Sequence, residues 1–327
     1  MERILKLSKA RAHTNIALIK YWGKADQALI LPATSSISMT LAAFYTDTAV
    51  TFDAALTADT FTLDGKLQAP QAAARVTQFL DLVRQRAGIA TFARVQSDNH
   101  VPTAAGLASS ASAFAALALA ASNAAGLELT PTELSRLARR GSGSASRSIF
   151  GNMVIWHRGT DDGSSFAEPL PINLKLDLRM IAVVVDDMPK SIGSRVGMQR
   201  TVATSPYFPA WVTANEAAAS AMQQALTDGD MATVGALTER SAMMMHASTM
   251  AANPPFTYLQ PVSLALFDYA AELRANGFQV YATADAGPNV KLLTTARDAD
   301  RVLQQVQGKF NVKAVMSGPG PAARIID

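Results

Sequence analysis

The stretch DNHVPTAAGLASSASAFAAL, residues 98–117, joins a polar, proline-containing turn to a long run of alanine and leucine. Gly106 and the small residues around it allow the backbone to approach a ligand closely. The amide groups at the start of the helix that follows, with the positive end of its dipole, suit a phosphate. No Gly-x-x-x-x-Gly-Lys-Ser/Thr motif occurs in the chain, so this is not a Walker A loop. The alternative is an alanine-rich helix that packs tightly and happens to begin with serines.

Composition limits the classes of protein that need to be considered. The chain has 327 residues, of which 49% are hydrophobic and 17% charged, enough for one large domain or two tightly joined lobes. The net charge is +3, and no basic stripe is interleaved with aromatic residues, which argues against nucleic-acid binding. The absence of cysteine excludes disulfides, thiolate catalysis and cysteine-based zinc sites. The four histidines are scattered without the spacing of metal ligands.

Neither the N-terminal residues nor the most apolar stretch of the sequence indicates a membrane protein. The N-terminal MERILKLSKARAH lacks the apolar core of a signal peptide. The most apolar-looking stretch, residues 103–127, consists of alanine, serine, asparagine and glycine rather than leucine and isoleucine, and makes a poor membrane span. We therefore expect a cytoplasmic protein with no membrane partner.

The first hundred residues have the alternating pattern of strands and hairpins. Residues 37–44 and 48–52 are predicted to pair, and an amphipathic helix is predicted over residues 71–87. Thr130, followed by a proline and then a glutamate at the third helical position, predicts a helix start. The other predicted helices are 107–125, 131–140, 207–227, 230–250, 261–275 and 297–307; the other strands are 60–63, 91–95, 152–156, 178–185, 279–284, 289–293 and 312–316.

The alternation of strands and helices after residue 261 is typical of a split βαβ lobe packed beside an N-terminal α+β lobe. The change of pattern falls between residues 175 and 205. We place the boundary at 185, which gives an N-terminal lobe of residues 1–185 and a C-terminal lobe of residues 186–327.

Four polar segments are rich in small residues and in groups that can bind an anion. One of them is the serine-containing stretch 98–117 described above. In NIALIKYWGK, residues 15–24, Lys20 and Lys24 are four apart and share a side in either a helix or a strand. Two adjacent ammonium groups repel each other unless an anion lies between them. The alternative is a pair of solvated surface lysines.

The other two segments combine glycine, serine and arginine. RRGSGSASRS, residues 139–148, offers freed amides, the hydroxyls of Ser142 and Ser144, and the Arg147 fork, which matches a carboxylate or phosphate. KSIGSRVG, residues 190–197, repeats this character directly after a buried strand. Flexible linkers are the alternative for both.

One acidic residue stands apart from these cationic segments. In TADAGPN, residues 283–289, Asp285 follows a predicted strand and lies among small residues. Such a position suits a general base held close to a substrate hydroxyl. A plain turn aspartate before Gly-Pro is the alternative.

Together these segments supply lysine, arginine, serine and amide donors around a single carboxylate. That set of groups fits a polyphosphate nucleotide and a second anionic substrate, since phosphoryl transfer with Mg²⁺ depends mainly on positioning and charge stabilisation. The residues alone therefore predict an ATP-using enzyme that acts on an anionic small molecule.

At these same residues the sequence resembles the diphosphomevalonate decarboxylases of the GHMP kinase superfamily. The resemblance lies in residues 15–24, in PTAAGLASSA at 102–111, in GSGSASRS at 141–148, in SRVGM at 194–198 and in the Asp285 segment, and it runs nearly end to end. It implies an α+β GHMP fold, with an N-terminal lobe like ribosomal protein S5 domain 2, a C-terminal ferredoxin-like lobe, and a homodimer. It also implies the conversion of ATP and (R)-5-diphosphomevalonate to isopentenyl diphosphate, ADP, phosphate and CO₂, with Mg²⁺.

The resemblance also assigns roles to residues. It makes Asp285 the aspartate at the 3-hydroxyl, Arg147 the arginine at the substrate carboxylate, and places Lys20 and Asn15 beside the reacting centre. The residues that it assigns to the substrate diphosphate are Tyr21, Lys24, Ser142, Ser144 and Arg195. Those that it assigns to ATP are Ala105, Gly106, Leu107, Ala108, Ser109, Ser110, Ser194 and Lys190, with Ser109 and Ser110 also candidates for the metal.

Two other readings of the sequence remain open. A GHMP small-molecule kinase or a phosphomevalonate decarboxylase would act on mevalonate or its monophosphate. A non-catalytic nucleotide- or RNA-binding module would use the S5-like lobe, although the chain lacks a concentrated basic face.

Overall fold

The computed structural model describes residues 6–100, 109–186 and 191–327. The strands are β1 (Ser8–Ile19), β2 (Lys24–Asp26), β3 (Leu31–Pro32), β4 (Ser36–Phe52), β5 (Thr60–Leu63), β6 (Lys66–Leu67), β7 (Ala93–His100), β8 (Met153–Trp156), β9 (Ala167–Pro169), β10 (Leu178–Val184), β11 (Val280–Ala284), β12 (Val290–Thr295), β13 (Lys313–Ser317) and β14 (Arg324–Ile326). The α-helices are α1 (Pro70–Ala87), α2 (Ser109–Ala124), α3 (Pro131–Gly141), α4 (Ser194–Thr204), α5 (Phe208–Asp228), α6 (Met231–Met250), α7 (Pro261–Ala275) and α8 (Ala296–Phe310), and Gly143–Ile149 and Leu174–Leu176 form 3₁₀ helices.

The first sheet has the strand order β14-β1-β4-β7-β5-β6, with β8 beside the first part of β4 and β9 beside β8. Its strands are antiparallel except for the parallel pair β5 and β7. Helices α1, α2 and α3 pack with it around one apolar core, which includes Val76, Phe79 and Leu80 of α1. Seven of the eleven buried residues of α2 are alanine, and these small side chains let the helix lie close to β1 and β4.

One strand prediction is wrong. Residues 37–44 and 48–52 do not pair with each other but form one continuous strand, β4. The strand pairs with β1 along one edge and changes partner from β8 to β7 along the other. Asp47, which lies between the two predicted segments, accepts two 2.7 Å hydrogen bonds from Arg11 on β1 inside the strand. A buried carboxylate with a bidentate arginine partner is compatible with a sheet interior.

The second sheet is antiparallel, with the strand order β11-β12-β10-β13. Helices α7 and α8 share one apolar cluster with the strands of this second sheet. Helices α5 and α6 contribute to a different apolar cluster, which also includes residues of β1, β4 and β8. Strand β10, which precedes the boundary predicted at residue 185, pairs in this second sheet, and β14 at the far end of the chain pairs in the first. Each of these two sheets therefore contains a strand from the other side of residue 185.

The helices predicted after residue 130 are confirmed, as is the capping box in which Thr130 and Glu133 bond to each other's backbone N–H. The start predicted for α2 at residue 107 lies outside the described residues. Strand β1 and helix α4 were not predicted, and the serine- and glycine-rich residues 143–149 form a 3₁₀ helix. Within the three described ranges, no helix has the length and apolar character needed to cross a bilayer.

Candidate active site

A cleft of about 400 Å³ gathers residues from widely separated parts of the chain. The end of β1, the start of β2, α1, the 3₁₀ helix Gly143–Ile149, the start of α4 and the turn after β11 all contribute to its wall. The predicted site residues that line it are Asn15, Lys20, Tyr21, Lys24, Ser110, Ser142, Ser144, Arg147, Ser194, Arg195 and Asp285.

An ion pair between Lys20 and Asp285 lines the cleft. Lys20 follows β1, is 1% exposed, and places its Nζ 2.7 Å from Asp285 Oδ1. The same ammonium donates to the carbonyl oxygen of Ala17 at 2.8 Å. Burial lowers the pKa of Lys20, and the attraction of Asp285 opposes that change. Asp285 is 29% exposed, so its carboxylate is held by a buried cation and still reaches the cleft.

Arg147 presents a guanidinium that neutral groups hold in place. Its Nε and Nη2 donate to Asn15 Oδ1 at 3.2 and 3.1 Å, Nε also donates to Ser38 Oγ at 3.0 Å, and Nη1 donates to Ser36 Oγ at 2.6 Å. Burial lowers the pKa of Arg147 to about 10, with the Asp285 charge acting in the opposite direction. Within the described part of the chain no carboxylate forms an ion pair with it, so this oriented cation is well suited to an anionic ligand.

Tyr21 has a buried hydroxyl with no hydrogen-bond partner among the described residues. Its ring packs on Trp156 at a centroid distance of 4.7 Å. A Cβ atom at Gly143 would lie 2.7 Å from the Tyr21 oxygen, so glycine is required for this close approach. Burial raises the pKa of Tyr21, and the hydroxyl therefore stays a neutral donor that lines the cleft.

Three further cations, Lys24, Arg75 and Arg195, line the cleft and act on one another. The pKa of Lys24 is lowered by burial and by the charges of Arg195 and Arg75. Arg75 donates to the carbonyl oxygen of Gly141 at 2.9 Å, and its own pKa is lowered by burial and by Arg195. Like charges gathered in this way repel each other until an anion binds between them.

A short chain of hydroxyls connects the α2 side of the cleft to the 3₁₀ helix. Ser110 Oγ lies 3.3 Å from Ser142 Oγ, which lies 3.3 Å from Ser144 Oγ. Hydroxyl oxygens suit Mg²⁺, which prefers oxygen ligands and is commonly held through substrate phosphates and a few protein groups. Residues 6–100, 109–186 and 191–327 contain no group of three or more acidic, histidine or cysteine side chains that could hold a metal.

Several predicted residues lie elsewhere. Ser109, at the start of α2, is half-buried and is not among the residues that line the cleft in the described structure. The predicted ATP residues Ala105, Gly106, Leu107, Ala108 and Lys190 lie outside the described residues.

Two cationic residues at the site were missed from the sequence. Arg75 lies on α1, where its local pattern is that of an ordinary helix surface, so no sequence signal distinguishes it. Lys291 lies on β12 with its Nζ 3.6 Å from Asp285 Oδ2. Its spacing from Asp285 across the predicted turn could have indicated this contact, because strands on either side of a tight turn pair with each other.

The α+β fold has two large sheets, and its cationic cleft surrounds one carboxylate. These features define the class of enzymes that have the GHMP kinase fold. Residues 12–167 match the family described as diphosphomevalonate decarboxylase-like N-terminal domain, and residues 180–319 match the mevalonate 5-diphosphate decarboxylase C-terminal domain. The chain therefore belongs to the diphosphomevalonate decarboxylase family. The resemblance and the α+β GHMP fold predicted from the sequence are confirmed.

Individual relatives agree with this assignment. A solved structure of MDDEF in complex with MVAPP, AMPPCP and magnesium is 46% identical, covers 98% of this chain and 99% of its own, and superposes with a TM-score of 0.94. Diphosphomevalonate decarboxylase mvd1 of Aspergillus fumigatus is 38% identical over 92% of this chain and 80% of its own length. Phosphomevalonate decarboxylase of Haloferax volcanii is 32% identical over 97% of both chains.

Proposed function

We propose that this protein converts ATP and (R)-5-diphosphomevalonate to isopentenyl diphosphate, ADP, phosphate and CO₂ in the mevalonate pathway of isoprenoid biosynthesis. The observation that carries the proposal is one cleft lined both by a lysine-held carboxylate and by a separate group of three cations. A doubly charged diphosphate and a carboxylate on one small molecule match this distribution of charge. The solved complex of MDDEF with MVAPP and an ATP analogue supports it.

The group of three cations binds the substrate diphosphate in this proposal. Lys24, Arg195 and Arg75 relieve their mutual repulsion when the diphosphate lies among them. The Tyr21 hydroxyl, which has no partner among the described residues, donates to a phosphate oxygen. The hydroxyls of Ser142 and Ser144 complete this part of the cleft.

Arg147 binds the substrate carboxylate and Asp285 the 3-hydroxyl. Three acceptors fix the guanidinium before substrate arrives, so little reorganisation is needed on binding. Asn15 also donates to the carbonyl of Ser144 at 3.0 Å and to Ser148 Oγ at 2.8 Å, which ties the arginine to the 3₁₀ helix. Asp285 orients the hydroxyl and accepts its proton as the γ-phosphoryl group moves to the hydroxyl oxygen.

The last step breaks two σ bonds, the C3–O bond and the bond to the carboxylate carbon, and forms two π bonds, one in the alkene and one in CO₂. The C3–O bond breaks as phosphate leaves, and its electron pair goes to the phosphate. Positive charge develops at C3, and Asp285 stabilises it as a carboxylate once the proton that it accepted has passed to the departing phosphate. The electron pair of the bond to the carboxylate then forms the alkene, and CO₂ leaves in the orientation that Arg147 holds.

The hydroxyls of Ser110 and Ser194 face the cleft and would contact ATP phosphates, with Ser109 and Ser110 the candidate protein ligands for Mg²⁺. When bound, Mg²⁺ neutralises charge on the phosphates during transfer. The roles proposed for residues 105–108 and Lys190 rest on the sequence resemblance. We also propose a cytoplasmic homodimer with two lobes, without nucleic-acid or membrane partners; gel filtration with light scattering would test the dimer.

The direct test follows purified protein with ATP, Mg²⁺ and (R)-5-diphosphomevalonate, recording ADP and CO₂ together. We expect equal release of both. ADP without CO₂ would instead indicate a small-molecule kinase. Faster turnover of the monophosphate would indicate a phosphomevalonate decarboxylase, the activity for which the Haloferax volcanii relative is named.

Replacing Tyr21 by Phe tests the binding of the diphosphate. We expect the KM for diphosphomevalonate to rise about tenfold, because one hydrogen bond to a charged group is lost, with kcat within about twofold of the parent. Tyr258→Phe is the matched control, since its hydroxyl is also buried without a partner among the described residues but its side chain does not line the cleft. Neither variant should lower Tm, and an unchanged KM for Tyr21→Phe would remove this residue from substrate binding.

A further inference from the structure

Lys291 is a buried lysine to which the proposed reaction assigns no role. It is 1% exposed, and its Nζ lies 3.6 Å from Asp285 Oδ2. The same ammonium donates to the carbonyl oxygen of Asn289 at 3.0 Å. Lys20 contacts Oδ1, the other oxygen of Asp285. Each carboxylate oxygen of Asp285 therefore faces a different lysine.

The hairpin between β11 and β12 places Lys291 there. Thr283 and Lys291 are directly opposite each other in the antiparallel register, so both side chains lie on one face of the sheet. Asp285 is two residues beyond Thr283 and continues on that face. The side-chain oxygen of Asn289 accepts two backbone N–H groups at the end of β10, at 2.7 and 2.9 Å, which anchors the hairpin turn.

The charge of Lys291 is costly where it lies. All six residues of β12 are buried, and burial lowers the pKa of the Lys291 ammonium while Asp285 opposes that change. Taking an ammonium out of water is costly, and because Asp285 keeps Lys20 as a partner, an apolar side chain at this position would remove that cost without leaving the carboxylate unpaired. The ammonium thus indicates a role at the carboxylate rather than in the core.

We propose that Lys291 is a positioning residue, which holds the second oxygen of Asp285 so that the carboxylate keeps one charged orientation toward the substrate hydroxyl. This inference rests on the proposed function for the step it assists. With Lys20 on the first oxygen, rotation of the carboxylate would break both contacts. The carboxylate therefore enters the reaction already oriented, which is the arrangement that general-base and electrostatic catalysis require.

Four groups of the described chain act electrostatically at this carboxylate. They are Lys20 after β1, Lys291 on β12, Arg147 on the 3₁₀ helix and His246 on α6. Burial, and then the charge of Lys20, lowers the pKa of His246 to about 4. This imidazole is consequently neutral above about pH 5. Changes in the rate near neutral pH therefore do not come from this imidazole.

The test replaces Lys291 by Met, with Lys291→Gln as a second neutral variant that keeps a donor for Asn289. We expect kcat to fall about tenfold in both, with both KM values within about twofold. The acidic limb of the kcat profile should move to higher pH, since loss of a cation makes the carboxylate easier to protonate. The control is Lys313→Met, which replaces an exposed lysine on β13 of the same sheet and should leave all these values unchanged.

Thermal unfolding and carboxyl-carbon NMR separate this role from a structural one. We expect Tm of Lys291→Met to equal or exceed that of the parent, and the Asp285 carboxyl to titrate at higher pH in the ligand-free protein. Unchanged kcat and pH profile, or a loss of activity matched by a fall in Tm in both variants, would overturn the proposal. Should the parent release neither CO₂ nor ADP, the proposed function fails, and the NMR titration still decides whether Lys291 acts on Asp285.

Discussion

Replacing Asp285 by Asn is expected to lower kcat about 10³-fold while both KM values change less than about threefold. The amide keeps the shape of the carboxylate and loses its charge. It can neither accept the proton of the hydroxyl nor stabilise positive charge at C3. In the parent, the buried ammonium of Lys20 lies 2.7 Å from a carboxylate oxygen of Asp285. In the variant this ammonium has lost that anionic partner. Steady-state kinetics with coupled ADP and CO₂ detection measures the effect.

Asp298→Asn provides the control for this variant. Asp298 is also buried at the second sheet, where it accepts from Arg297 and from the backbone N–H of Gln279, and it does not line the cleft. We expect that variant to lose stability and keep its kcat. Turnover by Asp285→Asn within about threefold of the parent would exclude Asp285 from the chemical step.

Replacing Arg147 by Lys is expected to lower kcat/KM for diphosphomevalonate at least about 10²-fold. Lysine keeps the charge but loses the planar fork that Asn15, Ser36 and Ser38 orient. Those acceptors are buried, and leaving some of them without a donor costs about 1–3 kcal/mol of unfolding free energy. The substrate carboxylate would then be free to turn away from the geometry in which CO₂ leaves.

The matched control is Arg11→Lys, because Arg11 also forms a two-point contact, with Asp47, outside the cleft. We expect this variant to have a lower Tm and an unchanged kcat/KM. A wild-type kcat/KM for Arg147→Lys would show that a single point charge is sufficient at this position. Urea unfolding of both variants places their stabilities on one scale.

Much of the fold follows from local patterns in the sequence. The capping box at Thr130 and the alternation of helices and strands after residue 261 are local signals, and the structure confirms both. The pairing of residues 37–44 with 48–52 was wrong because periodicity indicates that a segment is a strand without naming its partner. The carboxylate of Asp47 is stable inside this strand because of an arginine that lies 36 positions earlier in the chain, which no local pattern reveals.

The sequence by itself determined which chemical groups are available: lysine and arginine donors, serine hydroxyls, and one aspartate beside a tight turn. Tertiary structure alone decided which of them meet. Lys20 and Asp285 are 265 positions apart, and Arg147 is held by Asn15 from 132 positions away. Such contacts depend on how distant strands and helices pack into a shared core, and on the burial that fixes each charge there. Local periodicity carries no information about either, so Arg75 became visible as part of the site only in the folded chain.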